Sequence, residues 1–219
     1  RPSSAAPAHP PPNAASAAQD DRWDDSGMTV WTVRGDISIS VANLLITSSY
    51  NPRVRILGVD PGSVTTGFGV IDQIRGRLTL IEQGTIGTVR GSELADRLCR
   101  IHDELVSVIR RCTPEAVAVE APFGGQNVKS LIQLAHARGV ILLAARSARI
   151  DVFEYSPRSV KSAVVGYGAA EKEQVAKMVR MLIPGCANLV MSTDASDALA
   201  VAICHAHTAG TAERLRIAR

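Results

Sequence analysis

The chain has 219 residues, 46% hydrophobic and 21% charged, an ordinary globular composition long enough for one good-sized domain. Its formal charge of +3 and sequence pI of about 8.8 permit a nucleic-acid partner without demanding one. No apolar run approaches the ~18 residues of a membrane span, and the start lacks a cationic segment leading into an apolar core, so the expectation is a cytoplasmic chain with no membrane partner. Cys99, Cys112, Cys186 and Cys204 form no CxxC pair and read as reduced, mostly buried thiols.

Residues 1–53 differ from everything after them. They hold six of the eleven prolines and an acidic cluster, Asp20-Asp21-Arg22-Trp23-Asp24-Asp25. Such sequence buries too little apolar surface to offset its ordering entropy, and it is expected to be a disordered extension. One expectation is an over-extended reading frame, with initiation near Val54. The segment carries four Arg and five Asp, which leaves 20 basic and 16 acidic residues beyond it, net +4. The folded part is the basic part.

Arg55-Ile56-Leu57-Gly58-Val59-Asp60 is an apolar run that ends on an acid and is turned by Pro61-Gly62. It predicts a strand buried on both faces. A buried carboxylate must be paired, hydrogen-bonded or metal-bound, although an aspartate at a turn can also simply cap it. Thr66–Asp72 and Leu78–Ile86 follow as strands, joined to one another by Arg75-Gly76-Arg77, and short connections make antiparallel neighbours. Leu94, Leu98, Ile101, Leu105, Val108 and Ile109 recur at helical spacing, predicting an amphipathic helix over 92–111 with Ser92 as N-cap and Thr113-Pro114 as stop.

Ala116-Val117-Ala118-Val119-Glu120 repeats the first arrangement: a buried-type strand, a terminal acid, then Pro122. Active sites of open α/β sheets gather beyond the carboxyl ends of strands, so two strand-end acids are consistent with one site. Helices are predicted from Asn127 to about Ile150, from Pro157, and over Ala169–Leu182, with a short strand at Val152–Tyr155. The last helix is buried and alanine-rich, running Ala198–His207, with Thr193 as N-cap and Asp194 and Asp197 on one face at i and i+3. His102, on a helix, and His205 and His207, at a helix end where cations are favoured, are read as structural.

Asp60, Glu120, Asp194 and Asp197 are hard oxygen ligands of the kind that suit Mg²⁺ or Mn²⁺. Like-charged carboxylates held together call for a cation. Two ions about 4 Å apart activate water and stabilise the leaving oxygen of an in-line phosphodiester cleavage. Gly62-Ser63-Val64-Thr65-Thr66-Gly67 lacks the Gly-Lys-Ser/Thr of a Walker loop.

These residues also carry a family resemblance. Leu57-Gly58-Val59-Asp60-Pro61-Gly62-Ser63, Gly67-Phe68-Gly69-Val70 and Val119-Glu120 are similar to the RuvC family of Holliday-junction resolvases. So are Gln133–Val140, Val160–Gly166, Ala170-Glu171-Lys172 and Asp194–Ala200, in order over about Val54 to His207. The resemblance implies an α/β, ribonuclease H-like fold, a five-stranded mixed β-sheet flanked by α-helices. It implies a domain over 54–208 with a short tail at 209–219. It implies a homodimer that cuts a four-way DNA junction symmetrically with Mg²⁺ (Mn²⁺ substituting), two ions per site, during recombination and repair. The family's catalytic and metal-binding acids fall on Asp60, Glu120, Asp194 and Asp197. Its junction-inserting phenylalanine falls on Phe123 and its DNA-contacting lysines on Lys161 and Lys172. A branch-migration helicase complex of the RuvA-RuvB type is the implied partner. Gly124-Gly125-Gln126 stands where members often have a bulky or basic stretch, and His136 where glutamine is usual. Actin-like ATPases share the strand-Asp-x-Gly opening, but they clamp a nucleotide between two such domains and this chain has room for one.

Overall fold

The computed structural model describes residues 53–122 and 127–217. Strands β1 (Arg53–Asp60), β2 (Thr65–Ile74) and β3 (Arg77–Gly87) form an antiparallel meander. β4 (Ala116–Glu120) and β5 (Asp151–Tyr155) extend the sheet from β1 in parallel, giving the order β3-β2-β1-β4-β5. Five α-helices and a short 3-10 helix (Pro184–Cys186) accompany it among the described residues: α1 (Leu94–Cys112), α2 (Val128–Ser147), α3 (Pro157–Val165), α4 (Lys172–Leu182) and α5 (Thr193–Ile217). This is the predicted five-stranded mixed sheet with flanking helices.

Local chemistry explains the boundaries. Arg75 and Gly76 both take positive φ, 50° and 81°, the conformation that lets a two-residue hairpin match the strand twist between β2 and β3. Thr113 closes α1 in the left-handed region, its N–H returning to Ile109 O, and Pro114 prevents continuation. Two predicted caps are corrected. Ser92 donates its hydroxyl to Val89 O, and Glu93 stands at the N-cap of α1. At α5 the cap is Ser192, whose Oγ accepts the Ala195 N–H at 3.2 Å, and Thr193 is already helical.

Strand residues alternate faces, and the sheet divides the core accordingly. Ile56, Ile71 and Ala118 pack against α3, α4 and α5 through Val160, Val164, Val175, Val179, Leu199 and Ile203. Leu57, Val59, Val70, Val117 and Val119 pack against α1 and α2 through Ile101, Leu105 and Ile141. Burying each such side chain contributes about 1.5–3 kcal/mol.

α5 is much longer than the ten residues expected, and His205 is buried within it. His207 too lies within the helix, and the reading of His205 as a cation at a helix end is therefore wrong. Burial lowers its pKa, and its ring lies 4.3 Å from that of Phe153 with Nδ1 2.8 Å from the Tyr155 hydroxyl. α2 also departs from expectation. Among the described residues it is the one helix long and apolar enough to cross a membrane by length and composition. Lys129, Arg138 and Arg146 interrupt it, and it packs on α1 and β5.

Candidate active site

The parallel pairing of β1 with β4 sets Val59 beside Val119, so Asp60 and Glu120 follow as neighbours where the two strands end. Ile56, Gly58 and Asp60 alternate onto the face that α5 covers, as do Ala118 and Glu120. α5 brings Asp194 and Asp197 to the same place, because three glycines let its backbone lie directly on the sheet. A Cβ at Gly58 would stand 2.1 Å from Ala198 O, at Gly67 2.0 Å from Asp194 O, and at Gly69 2.5 Å from Leu199 Cδ2. No ordinary side chain fits there.

The electrostatics register the convergence. Asp60 is pushed up to about 8, first by burial, then by the charges of Glu120, Asp197 and Asp194. Glu120 is also raised, burial leading, with Lys172 and Lys161 opposing. Asp60 and Glu120 stand within hydrogen-bonding reach of one another, which raises the first and lowers the second. Asp72 makes a useful contrast. It too is buried, but Arg55 clasps it with Nε at 2.7 Å and Nη2 at 2.9 Å, as expected of a structural ion pair. Asp60 instead faces three other acids, an arrangement that destabilises the fold unless a cation joins it.

Lys172 supplies one positive charge, its Nζ lying 3.1 Å from Asp197 Oδ2. Among the described residues, no three His, Cys, Asp or Glu side chains are by themselves closed around a metal position. The donor set nonetheless fits a hard divalent cation, since all four groups are carboxylates from rigid elements and none is committed to an arginine. Lys161 and Lys172 both act on Glu120 and so flank the acids. Phe123 lies outside the described residues.

Sequence reasoning missed the supports. The turn after Asp60 is held by its carbonyls. Thr66 Oγ1 donates to Gly62 O at 2.7 Å, Thr88 Oγ1 to Ser63 O and Val64 O at 3.1 and 3.0 Å, and Arg97 Nη1 to Ser63 O at 3.2 Å. Arg97 is buried, which its place in the amphipathic pattern of α1 did not reveal. Arg138, paired with Glu154, lines a pocket with Asp60, Pro61, Glu120 and Pro157. A basic residue on an apolar helix was the signal available for it.

A five-stranded mixed sheet of this order, with acids gathered beyond the ends of its central parallel strands, is the ribonuclease H-like architecture in the form that nucleases use. The family model described as crossover junction endodeoxyribonuclease RuvC matches residues 56–205. A crossover junction endodeoxyribonuclease RuvC of Paramagnetospirillum magneticum is 46% identical over 162 residues, covering 74% of this chain and 96% of its own. That of Syntrophotalea carbinolica is 51% identical over 156 residues, 70% of this chain and 94% of its own. Among solved structures, T. thermophilus RuvC in complex with Holliday junction substrate is 34% identical, with a TM-score of 0.68, covering 73% of this chain and 96% of that one. The chain belongs to the RuvC family of crossover junction endodeoxyribonucleases.

Proposed function

We propose that this chain is a nuclease hydrolase that resolves Holliday junctions in recombination and repair, and that Asp60, Glu120, Asp194 and Asp197 are its catalytic acids, binding Mg²⁺ (or Mn²⁺), two ions to a site. The observation that carries this is the convergence of four carboxylates, from β1, β4 and α5, around an Asp60 whose proton affinity is raised first by burial and then by the charges of the other three. The metal, when bound, supplies an activated water and charge stabilisation at the leaving oxygen. The residues of the chain orient that chemistry. Strand ends fix Asp60 and Glu120, the glycine-lined seat of α5 fixes Asp194 and Asp197, and the anchored turn holds Pro61–Val64.

Lys161 and Lys172 neutralise backbone phosphates, whose contacts position rather than specify. Phe123 stacks on a base at the crossover. A homodimer presents two such sites to a junction with two equivalent exchange points. Val128, Ile132 and Leu143 leave apolar side chains exposed on α2, and this helix is our candidate for the dimer contact. We place the nuclease domain at 54–208, after an extension at 1–53, with the helix α5 continuing past that boundary to Ile217. We assign the chain to the cytoplasm, beside a branch-migration helicase complex of the RuvA-RuvB type. Mapping the products of a synthetic four-way junction tests the reading. Nicks at symmetric positions in two strands of like polarity support it, and cuts scattered equally over junction and linear duplex sink it.

A further inference from the structure

Between α3 and α4 the chain passes through Gly166-Tyr167-Gly168-Ala169-Ala170-Glu171. Tyr167 is 47% exposed in a chain with only 4% aromatic residues. A lone exposed apolar residue needs no explanation, but this one is tethered. Its hydroxyl donates to Gln174 Oε1 at 2.8 Å, and the same oxygen accepts the Glu171 N–H at 2.9 Å. The next residue, Lys172, is the one paired with Asp197. Three links therefore run from the tyrosine ring to the acid cluster.

The turn beneath the ring is equally fixed. Gly166 caps α3 in the left-handed conformation, φ 96°. A Cβ at Gly168 would stand 2.5 Å from Arg158 Cγ and 3.1 Å from its Nε, so the turn lies directly on the Arg158 side chain. The ring is thus half exposed with its hydroxyl anchored, on a turn that lies on the Arg158 side chain and leads on to Lys172 at the start of α4. Aromatic faces beside cations are the elements from which single-stranded nucleic acid sites are built, the ring taking a base and the cations its phosphates.

We propose that Tyr167 is a stacking platform for an unpaired nucleobase at the junction crossover, an aromatic contact in addition to the one proposed for Phe123. The proposal rests on the junction-resolving reading and adds a ligand contact to the same site. Prior ordering is what the tether contributes, since a fixed ring loses less freedom on binding.

The test compares wild type with Tyr167→Phe, Tyr167→Ala and Tyr167→Leu, binding a four-way junction that carries 2-aminopurine at the crossover nucleotides, and a linear duplex, both in EDTA. A base-stacking contact predicts a roughly 10-fold weaker junction Kd for Tyr167→Ala and Tyr167→Leu alike, with Tyr167→Phe within about threefold of wild type. Duplex affinity stays unchanged, thermal stability stays unchanged because the residue is exposed, and quenching of 2-aminopurine persists only in wild type and Tyr167→Phe. Wild-type affinity and quenching in Tyr167→Ala overturn the proposal while leaving junction cleavage standing, as does full rescue by Tyr167→Leu, which would make the contact simple packing. A wild-type protein indifferent to the junction overturns the resolvase reading and this contact with it.

Discussion

Gly58→Ala is the substitution that asks most directly whether the seat of α5 builds the acid cluster. The added Cβ would lie 2.1 Å from Ala198 O, 2.7 Å from Ala202 N and 2.9 Å from Ala202 Cβ. Real Cβ contacts hardly ever fall below 3.0 Å, so the helix must retreat by at least 0.9 Å at Ala198. The nearest atom belongs to the backbone and cannot rotate away. Overpacking of this kind costs about 1–3 kcal/mol. Asp194 and Asp197 sit within about one turn of Ala198 on the same helix and move with it, away from Asp60. A misplacement of ~1 Å at reacting groups costs on the order of 100-fold in rate. Urea denaturation and single-turnover cleavage of a four-way junction read the two effects separately. Gly87→Ala, where nothing lies within 4 Å, is the control and is expected to be near neutral in both. Adding Ala202→Gly is expected to rescue little, since it removes only the 2.9 Å contact. Gly58→Ala with wild-type stability and cleavage within about threefold would refute the reasoning.

Lys172→Met is expected to leave stability within about 0.5 kcal/mol, because its pair with Asp197 is 68% exposed on the lysine side. On our reading it weakens junction binding and lowers the slope of log K against log salt by about one, measured by titration at several salt concentrations. Protonation of His205 sets a pH dependence. Burial lowers its folded pKa below the ordinary 6.5, so as pH falls through 6.5 the unfolded chain takes up a proton that the folded one resists. Stability therefore drops on acidification until the lowered native pKa is passed. Denaturation midpoints of wild type and His205→Gln at pH 7.5 and 5.5 check this, and equal slopes would contradict it. On α2, Ile132→Glu and Leu143→Glu, at positions 51% and 60% exposed, are expected to leave the monomer folded and shift sedimentation from dimer to monomer.

What the sequence disclosed was whatever is local to a few residues. A strand closed by an acid and a proline is visible in Val59-Asp60-Pro61 and again in Val119-Glu120-Ala121-Pro122, and Thr113-Pro114 is a plain stop for α1. What it concealed depends on distant partners. The far half of α5 contains Thr208-Ala209-Gly210-Thr211-Ala212, which has no apolar period and little helix propensity of its own. His205 resists protonation because it is buried, where β5 brings Phe153 and Tyr155 against it. Gly67 and Gly69, two residues apart and so on one face of β2, were the available sign that a backbone approaches closely there. Their partner, a helix over a hundred residues later, was not readable from them. The acids were legible individually. Their convergence needed the register of β1 with β4.

The measurement that bears most directly on the whole account pairs wild type with Asp60→Asn on a synthetic four-way junction and a linear duplex, with Mg²⁺ and then with EDTA. The account predicts paired nicks on the junction alone, abolished by Asp60→Asn and by EDTA, while junction binding survives both. Junction cleavage that persists in Asp60→Asn or in EDTA would contradict it.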